Sequence, residues 1–223
     1  EWIFSIQCVS EGGPSNDISG HGTPRDLPLP RTWQTFHGET PFYLKYDDDD
    51  VRKEVFYITE YVLPDGDTLN FNINDMANDD WAMDGPALSR YVDIFDKGGG
   101  IGRDISVLKY SDVLLMYAEA IIERDGAPNS NAVNAVNMVR RRAHDYAPDE
   151  TSPYDLDAGM NYEDFRRELY LERRKELLFE GHAFMDGIRF WDLFKEAVEA
   201  SSRYNFEGQS DLINAKPKAE ITL

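Results

Sequence analysis

Glu172, Glu176 and Glu180 follow one another at intervals of four residues, and Glu119 adds another carboxylate in an apolar helical stretch. Carboxylates spaced this way could hold a pair of metal ions, or supply the acid and base of glycosidic cleavage. The first needs Glu-x-x-His pairs on facing helices. None of the four histidines (His21, His37, His144, His182) follows a glutamate by three. The second needs two carboxylates at a set separation, one with a raised pKa, and nothing in the sequence selects two. Gly-x-Ser-x-Gly, P-loop and dinucleotide fingerprints are absent. No catalytic residue, metal set or cofactor is therefore expected.

The remaining chemistry is charge pairing, and the stretch 165–193 shows where. On a helix, Tyr162, Phe165 and Leu169 share a face with Glu172, Arg173, Glu176 and Glu180, while Leu171 and Leu178 lie opposite. Apolar residues on two sides mean packing on two sides. Charges within a packed face must be paired, because an unpaired buried charge is very costly. We therefore expect a structural ion network of Glu119, Arg140, Glu172, Arg173, Glu176, Glu180, Asp186 and Arg189. Arg140, Arg141, Arg142, Arg173 and Arg189 are the expected partners of the glutamates, through bidentate guanidinium–carboxylate bonds. Gly181 can end the helix with positive φ.

Other elements must position that helix. Trp2, Phe4, Ile6 and Cys8 alternate with Ile3 and Ser5, so 1–10 reads as a strand, with Trp2 and Trp191 in the core and Cys8 as a small buried side chain. The single cysteine excludes an internal disulfide. Glycines and prolines between 11 and 41 forbid regular structure. A loop this long is often functional, and it carries Trp33, Phe36, His21, His37, Arg25 and Arg31. Asp50-x-Arg52 opens a helical turn followed by a strand, Pro64-Asp65-Gly66-Asp67 is a turn, Lys97-Gly98-Gly99-Gly100 another, and 105–108 is extended. Ser111 or Asp112 caps a helix reaching about Asp125, apolar on every side over 113–118 and hence central. Ser130 caps a second, 131–143; so short a connection makes an antiparallel hairpin. Asn161 caps the charged helix. Asp47 to Asp50, and Asp65-Gly66-Asp67 with 70–80, do not fit a loop of alternating Ca²⁺ ligands. They read as solvated acidic loops, a weak surface Ca²⁺ site being the alternative.

At 223 residues and 41% hydrophobic content the chain can bury a core. A net charge of −19 repels phosphate backbones and anionic membranes, which argues against nucleic-acid partners. No run of apolar residues is long enough to span a bilayer as a helix.

Three blocks carry a resemblance. Glu172-Arg173-Arg174-Lys175-Glu176-Leu177-Leu178-Phe179-Glu180-Gly181-His182 with Asp186-x-x-Arg189-Phe190 is similar to the C-terminal signature of the SusD/RagB family of outer-membrane nutrient-binding lipoproteins of Bacteroidetes. Val107 to Tyr110 followed by Val113 to Ala120, and Ala135 to Ala143, resemble two further family blocks in order. Weaker echoes are Glu1 to Gln7 and Asp50-x-Arg52. The resemblance implies a mainly α fold, a tetratricopeptide-type helical hairpin scaffold with long irregular loops and a few short strands. It suggests a loop-rich, ligand-facing segment over 1–104, a helical core over 105–200 and a tail or loop over 201–223. It also implies a non-catalytic role at the cell surface, capturing oligosaccharides, or in some members peptides, for a SusC-like TonB-dependent transporter. The lipid anchor and much of the family's N-terminal half would lie outside this sequence, which then reads as a fragment. No ligand residue transfers by motif. Trp33, Phe36, Tyr43 and Trp81 could be platforms for sugar rings, or anchors pinning their own loops. A second function class is a helical-repeat adaptor whose acidic face binds a basic protein.

Overall fold

A computed structural model describes residues 1–24, 27–36, 38–70, 86–92 and 101–199. Trp81, Arg25, His37, the acidic stretch 71–80, the 97–100 turn and the 201–223 tail lie outside the described residues. The protein is mainly α. In order its elements are β1 (Trp2–Ile6), α1 (Ile18–Gly22), α2 (Thr40–Tyr43), α3 (Val51–Phe56), β2 (Tyr57–Ile58), β3 (Glu60–Val62), β4 (Thr68–Asn70), β5 (Ala87–Leu88) and β6 (Ile105–Lys109). The helices α4 (Tyr110–Asp125), α5 (Ser130–Ala143), α6 (Tyr162–Glu176), α7 (Ala183–Arg189) and α8 (Trp191–Glu199) follow. The strands form two-stranded antiparallel ribbons, β1 with β6, β2 with β5 and β3 with β4.

The helical core forms where α4, α5 and α6 meet. Leu115, Ala118 and Ile122 of α4 pack with Val136 and Val139 of α5, Phe165 and Leu169 of α6, and Phe190 between α7 and α8. α4 ends at Gly126, whose φ of 69° is left-handed, a conformation glycine adopts without steric cost. Asn129 then starts α5, its side chain accepting from the amides of Asn131 and Ala132. We expect Asn129→Ala to lower stability by about 1 kcal/mol, read as a shift of the denaturant midpoint at constant slope.

α6 is packed on two sides. Leu171 and Leu178 lie against a second cluster of Phe42, Tyr46, Phe56, Tyr57 and Leu88, built from the loop segment, α3 and the β2–β5 ribbon. Asn161 caps α6 by accepting from the Asp164 amide. Glu163 and Asp164 in the first turn, and Arg173 to Lys175 in the last, complement the helix dipole.

Several local expectations change. α4 is capped by neither Ser111 nor Asp112: its N-cap is Lys109, and the Asp112 carboxylate instead accepts from Arg173. Asn129, not Ser130, caps α5, because its Asx geometry satisfies two orphan amides. α4 is not apolar-packed all round, since Met116 and Tyr117 are exposed. The 11–41 segment holds two short helices, α1 and α2, the latter begun by Pro41 in its first turn. Trp2 is not core. Among the described residues β1 pairs with β6 alone, and Trp2, Ile3, Phe4 and Ile6 are all exposed, Trp2 by 63%. Trp191 is half-buried against Phe194. Cys8 is buried just beyond the strand, its amide donating to Asp104.

Candidate functional site

The charged residues of α6 sit between the two hydrophobic clusters, and cations reach them from distant parts of the chain. Arg52, on the first turn of α3, lies with one guanidinium nitrogen 2.7 Å from Glu172 and 3.1 Å from Glu176. Its other edge clasps Asp50 at 2.7 and 2.9 Å. Asp50 is itself the α3 cap, accepting from the Arg52 amide. The four side chains are nearly inaccessible, 0–5%. Glu176 also meets Arg142 at 2.6 Å and Lys109 at 3.5 Å. The β1–β6 register sets Lys109 opposite Trp2, and Arg142 binds Glu1 at 2.5 Å.

Glu180 lies beyond the end of α6, so it does not stack one turn above Glu176 on the helix as expected. The helix closes at Leu177, Phe179 turns with a φ of 60°, and Gly181 follows at 84°. Glu180 is still held in the network, bonded to Arg90 and 2.9 Å from Lys109. A parallel strut involves Arg173, which spans Asp112 at 3.0 Å and both oxygens of Asp186. Arg189 reaches Asp186 at 2.7 Å and Glu119 at 2.7 Å. Arg140 stands 3.5 Å from Glu172 and donates to the Tyr154 carbonyl. Two expected partners differ: Arg141 serves Asp155 and the 148 carbonyl, and Arg173 serves Asp112 and Asp186, rather than any of the four glutamates, whereas Arg189 meets Glu119. Arg52, Lys109 and Arg90 were missed. Only Asp50-x-Arg52 left a signal in the sequence, and that signal named no partner.

The Glu176 carboxylate is held ionised. Burial raises the Glu176 carboxyl, but the charges of Arg142, Arg52 and Lys109 outweigh it and bring the pKa down to about 2. Such a group is no proton donor at neutral pH. Among the described residues no three His, Cys, Asp or Glu side chains gather as a metal-holding set. The aspartates before α3 are used in pairs: Asp48 with Lys53 at 2.7 Å, Asp47 with His144 at 3.5 Å and Lys175 at 3.7 Å, and Asp49 with the Tyr154 hydroxyl.

Beside the network opens a cavity of about 630 Å³ between the 18–42 segment and residues 177–186. Phe36, Phe42, Leu88, Tyr91 and Phe179 make its wall largely apolar. A run of rings lines it, His21 to Phe36 at 5.7 Å, Phe36 to Phe179 at 5.8 Å and Phe179 to Tyr91 at 6.1 Å, and Trp33 continues the run outside the lining, 5.0 Å from His21. Phe36 is 51% and Trp33 41% exposed. Backbone bonds tie this loop to α1, the Trp33 amide to the Gly20 carbonyl and the Phe36 amide to that of His21. Gly38 lets the loop lie against the β2–β5 ribbon, since a Cβ there would come within 2.6 Å of the Tyr57 ring. Phe179 holds positive φ at the centre of the run, a conformation rare for a bulky residue and costing about 1–3 kcal/mol.

The structure brings Phe36 and Trp33 together through His21. Tyr43 stands apart, edge-on to Tyr57 at 5.1 Å with the Lys53 ammonium over its ring. His21, Tyr91 and Phe179 were not singled out as ring-binding candidates. Only the loop path brings them to one wall.

The chain matches the model of the SusD family over residues 30–222. Among solved structures it is similar to a SusD superfamily protein from Parabacteroides distasonis, at 22% identity and a TM-score of 0.64, covering 85% of this chain and 39% of that one. A SusD homolog from Bacteroides thetaiotaomicron matches at 22% identity and a TM-score of 0.62, covering 90% of this chain and 43% of that one. A SusD-like carbohydrate binding protein from Bacteroides vulgatus matches at 19% identity and a TM-score of 0.56, covering 84% and 34%. The chain thus spans less than half the length of these relatives, and at these identities the likeness is one of fold. Among curated proteins nothing matches.

Proposed function

We propose, from the premise that this chain belongs to the SusD family, that it is part of a non-catalytic glycan-binding component of an outer-membrane uptake system. In this reading the protein is lipid-anchored at the cell surface and passes oligosaccharides to a SusC-like TonB-dependent transporter. The observation that carries it is the cavity and its run of rings. The apolar C–H face of a pyranose packs flat on an aromatic ring, and polar groups at the rim bond its hydroxyls. His21, its Nδ1 3.0 Å from the Thr35 hydroxyl, and Glu39 are such groups. The relative named as carbohydrate binding has the same fold. A rigid helical body with the contacts on its loops fits a binding role, and the buried ion network serves that rigidity.

Titration of intrinsic tryptophan fluorescence with a panel of neutral and acidic oligosaccharides tests this. At least one member should shift the emission, and Phe36→Ala should weaken its binding about tenfold, with Trp33→Ala weakening it too. If no member binds by fluorescence or calorimetry, the glycan reading fails. The adaptor reading has its own support in the exposed apolar strand β1. It predicts salt-sensitive binding of a basic protein instead, lost in Phe4→Ser.

A further inference from the structure

Two consecutive arginines on α6 behave differently. Arg173 is buried and clasped by Asp112 and Asp186. Arg174 is half-buried, lines the cavity, and among the described residues meets no carboxylate. Its guanidinium carbon lies 4.2 Å from the centroid of Phe42 and 5.6 Å from that of Tyr170. The other arginines of α6 are all paired, Arg166 with Asp192 and Arg167 with Glu196. The chain has 42 acidic against 23 basic residues, so a partly buried arginine without a carboxylate is the exception to explain. Two acidic groups of the lining are already neutralised, Glu180 by Arg90 and Lys109 and Asp186 by Arg173 and Arg189. Glu39 adds one negative charge to the same lining.

We propose that the cavity takes an acidic saccharide, whose carboxylate or sulfate pairs with Arg174 while a neighbouring ring packs on Phe36. This rests on the glycan reading above. A guanidinium packed on an aromatic ring through its carbon still has N–H donors for bidentate bonding to a planar or tetrahedral anion. Holding it over Phe42 fixes its orientation in advance, so little side-chain freedom is lost on binding. The net charge of −19 opposes the approach of an anion. At physiological salt, however, its reach is cut to about 8 Å, whereas a pair inside a partly enclosed cavity is screened much less. The overall field therefore slows association without cancelling the local bond.

Calorimetry on the full chain with matched probes tests this. One pair is tetragalacturonic acid and its methyl ester. The other is a chondroitin sulfate tetrasaccharide and its desulfated form, which keeps the uronates. The acidic member of at least one pair should bind about tenfold tighter than its neutralised counterpart, and Arg174→Gln should erase that preference. Arg174→Lys, which keeps the charge but not the fork, should retain part of it. Thermal melts confirm that both variants fold. Preference in the first pair alone identifies a carboxylate, and in the second alone a sulfate. Equal binding within both pairs, still lost in Phe36→Ala, overturns the acidic assignment and leaves the glycan reading standing. No binding of any oligosaccharide, neutral or acidic, overturns the glycan reading itself.

Discussion

Arg52→Ala is expected to cost about 3–5 kcal/mol of folding free energy, the range for breaking a buried ion pair. The reason is what remains. Asp50, Glu172 and Glu176 all bond this guanidinium, and their side chains are 0–2% exposed. Asp50 would keep only the Arg52 amide of the bonds described. Glu172 would keep Arg140 at 3.5 Å. Glu176 would keep Arg142 and Lys109. Removing the cation therefore strands carboxylates away from water, and the desolvation cost, not the lost attraction, dominates. Glu172→Ala should fall in the same range, because it leaves Arg52 in turn with less than its full set of acceptors. The two residues are in direct contact, so the double variant should cost clearly less than the sum of the singles. Each kcal/mol is about 2–4 °C in melting temperature for a domain of this size. Unchanged melting temperatures in both single variants would refute the network as a structural element.

Acid should destabilise the protein through Glu176. The folded-state pKa of Glu176 is held near 2 against an ordinary value of 4.5. Between those values the unfolded chain binds the proton and the folded chain does not, so stability falls as pH drops through that window. Above the ordinary value the contribution is complete and constant. A depression of this size at a buried site is worth about 3 kcal/mol. Denaturant midpoints near neutral pH and at several acid values should show the loss, and Glu176→Gln should flatten it while lowering stability at neutral pH. An acid profile unchanged in Glu176→Gln would assign the sensitivity to other carboxylates. The exposed pair Arg166–Asp192 also lowers its carboxylate, but solvent screening makes its share small.

The cost of this network explains why it is worth testing by substitution rather than by counting. Buried ion pairs are weak evidence for stability, since well-packed apolar residues can replace them at little loss. Their role here is one of positioning. Arg52 ties α3 to α6, Lys109 ties the β1–β6 ribbon to the end of α6, and Arg90 ties the stretch after β5 to Glu180. Of these, β6, the stretch after β5 and the end of α6 line the cavity, so loosening the network should also weaken any ligand bound there.

Periodicity was enough to read α6 as packed on two sides, and composition was enough to require its charges to be paired. Both follow from local spacing and from the cost of burying a lone charge, which hold whatever the rest of the chain does. The hairpin of α4 and α5 was equally readable, because Gly126, Pro128 and the apolar stripe of α5 are local signals. Choosing the cations was not a local matter. Arg52 lies 120 residues from Glu172 in sequence, and nothing in Asp50-x-Arg52 says which carboxylate it will meet. Nearby Arg141 looked equally suitable, yet it faces the 148–155 loop. Trp2 shows the same limit from the other side: alternation marks it as a strand residue, but its burial depends on whether another layer covers β1. The run of Trp33, His21, Phe36, Phe179 and Tyr91 joins three separate stretches of chain, so its existence is a property of how loops are laid on the helical body. Spacing along a chain sets which groups must find partners; only the folded path, where distant segments compete for the same space, selects which partners they find.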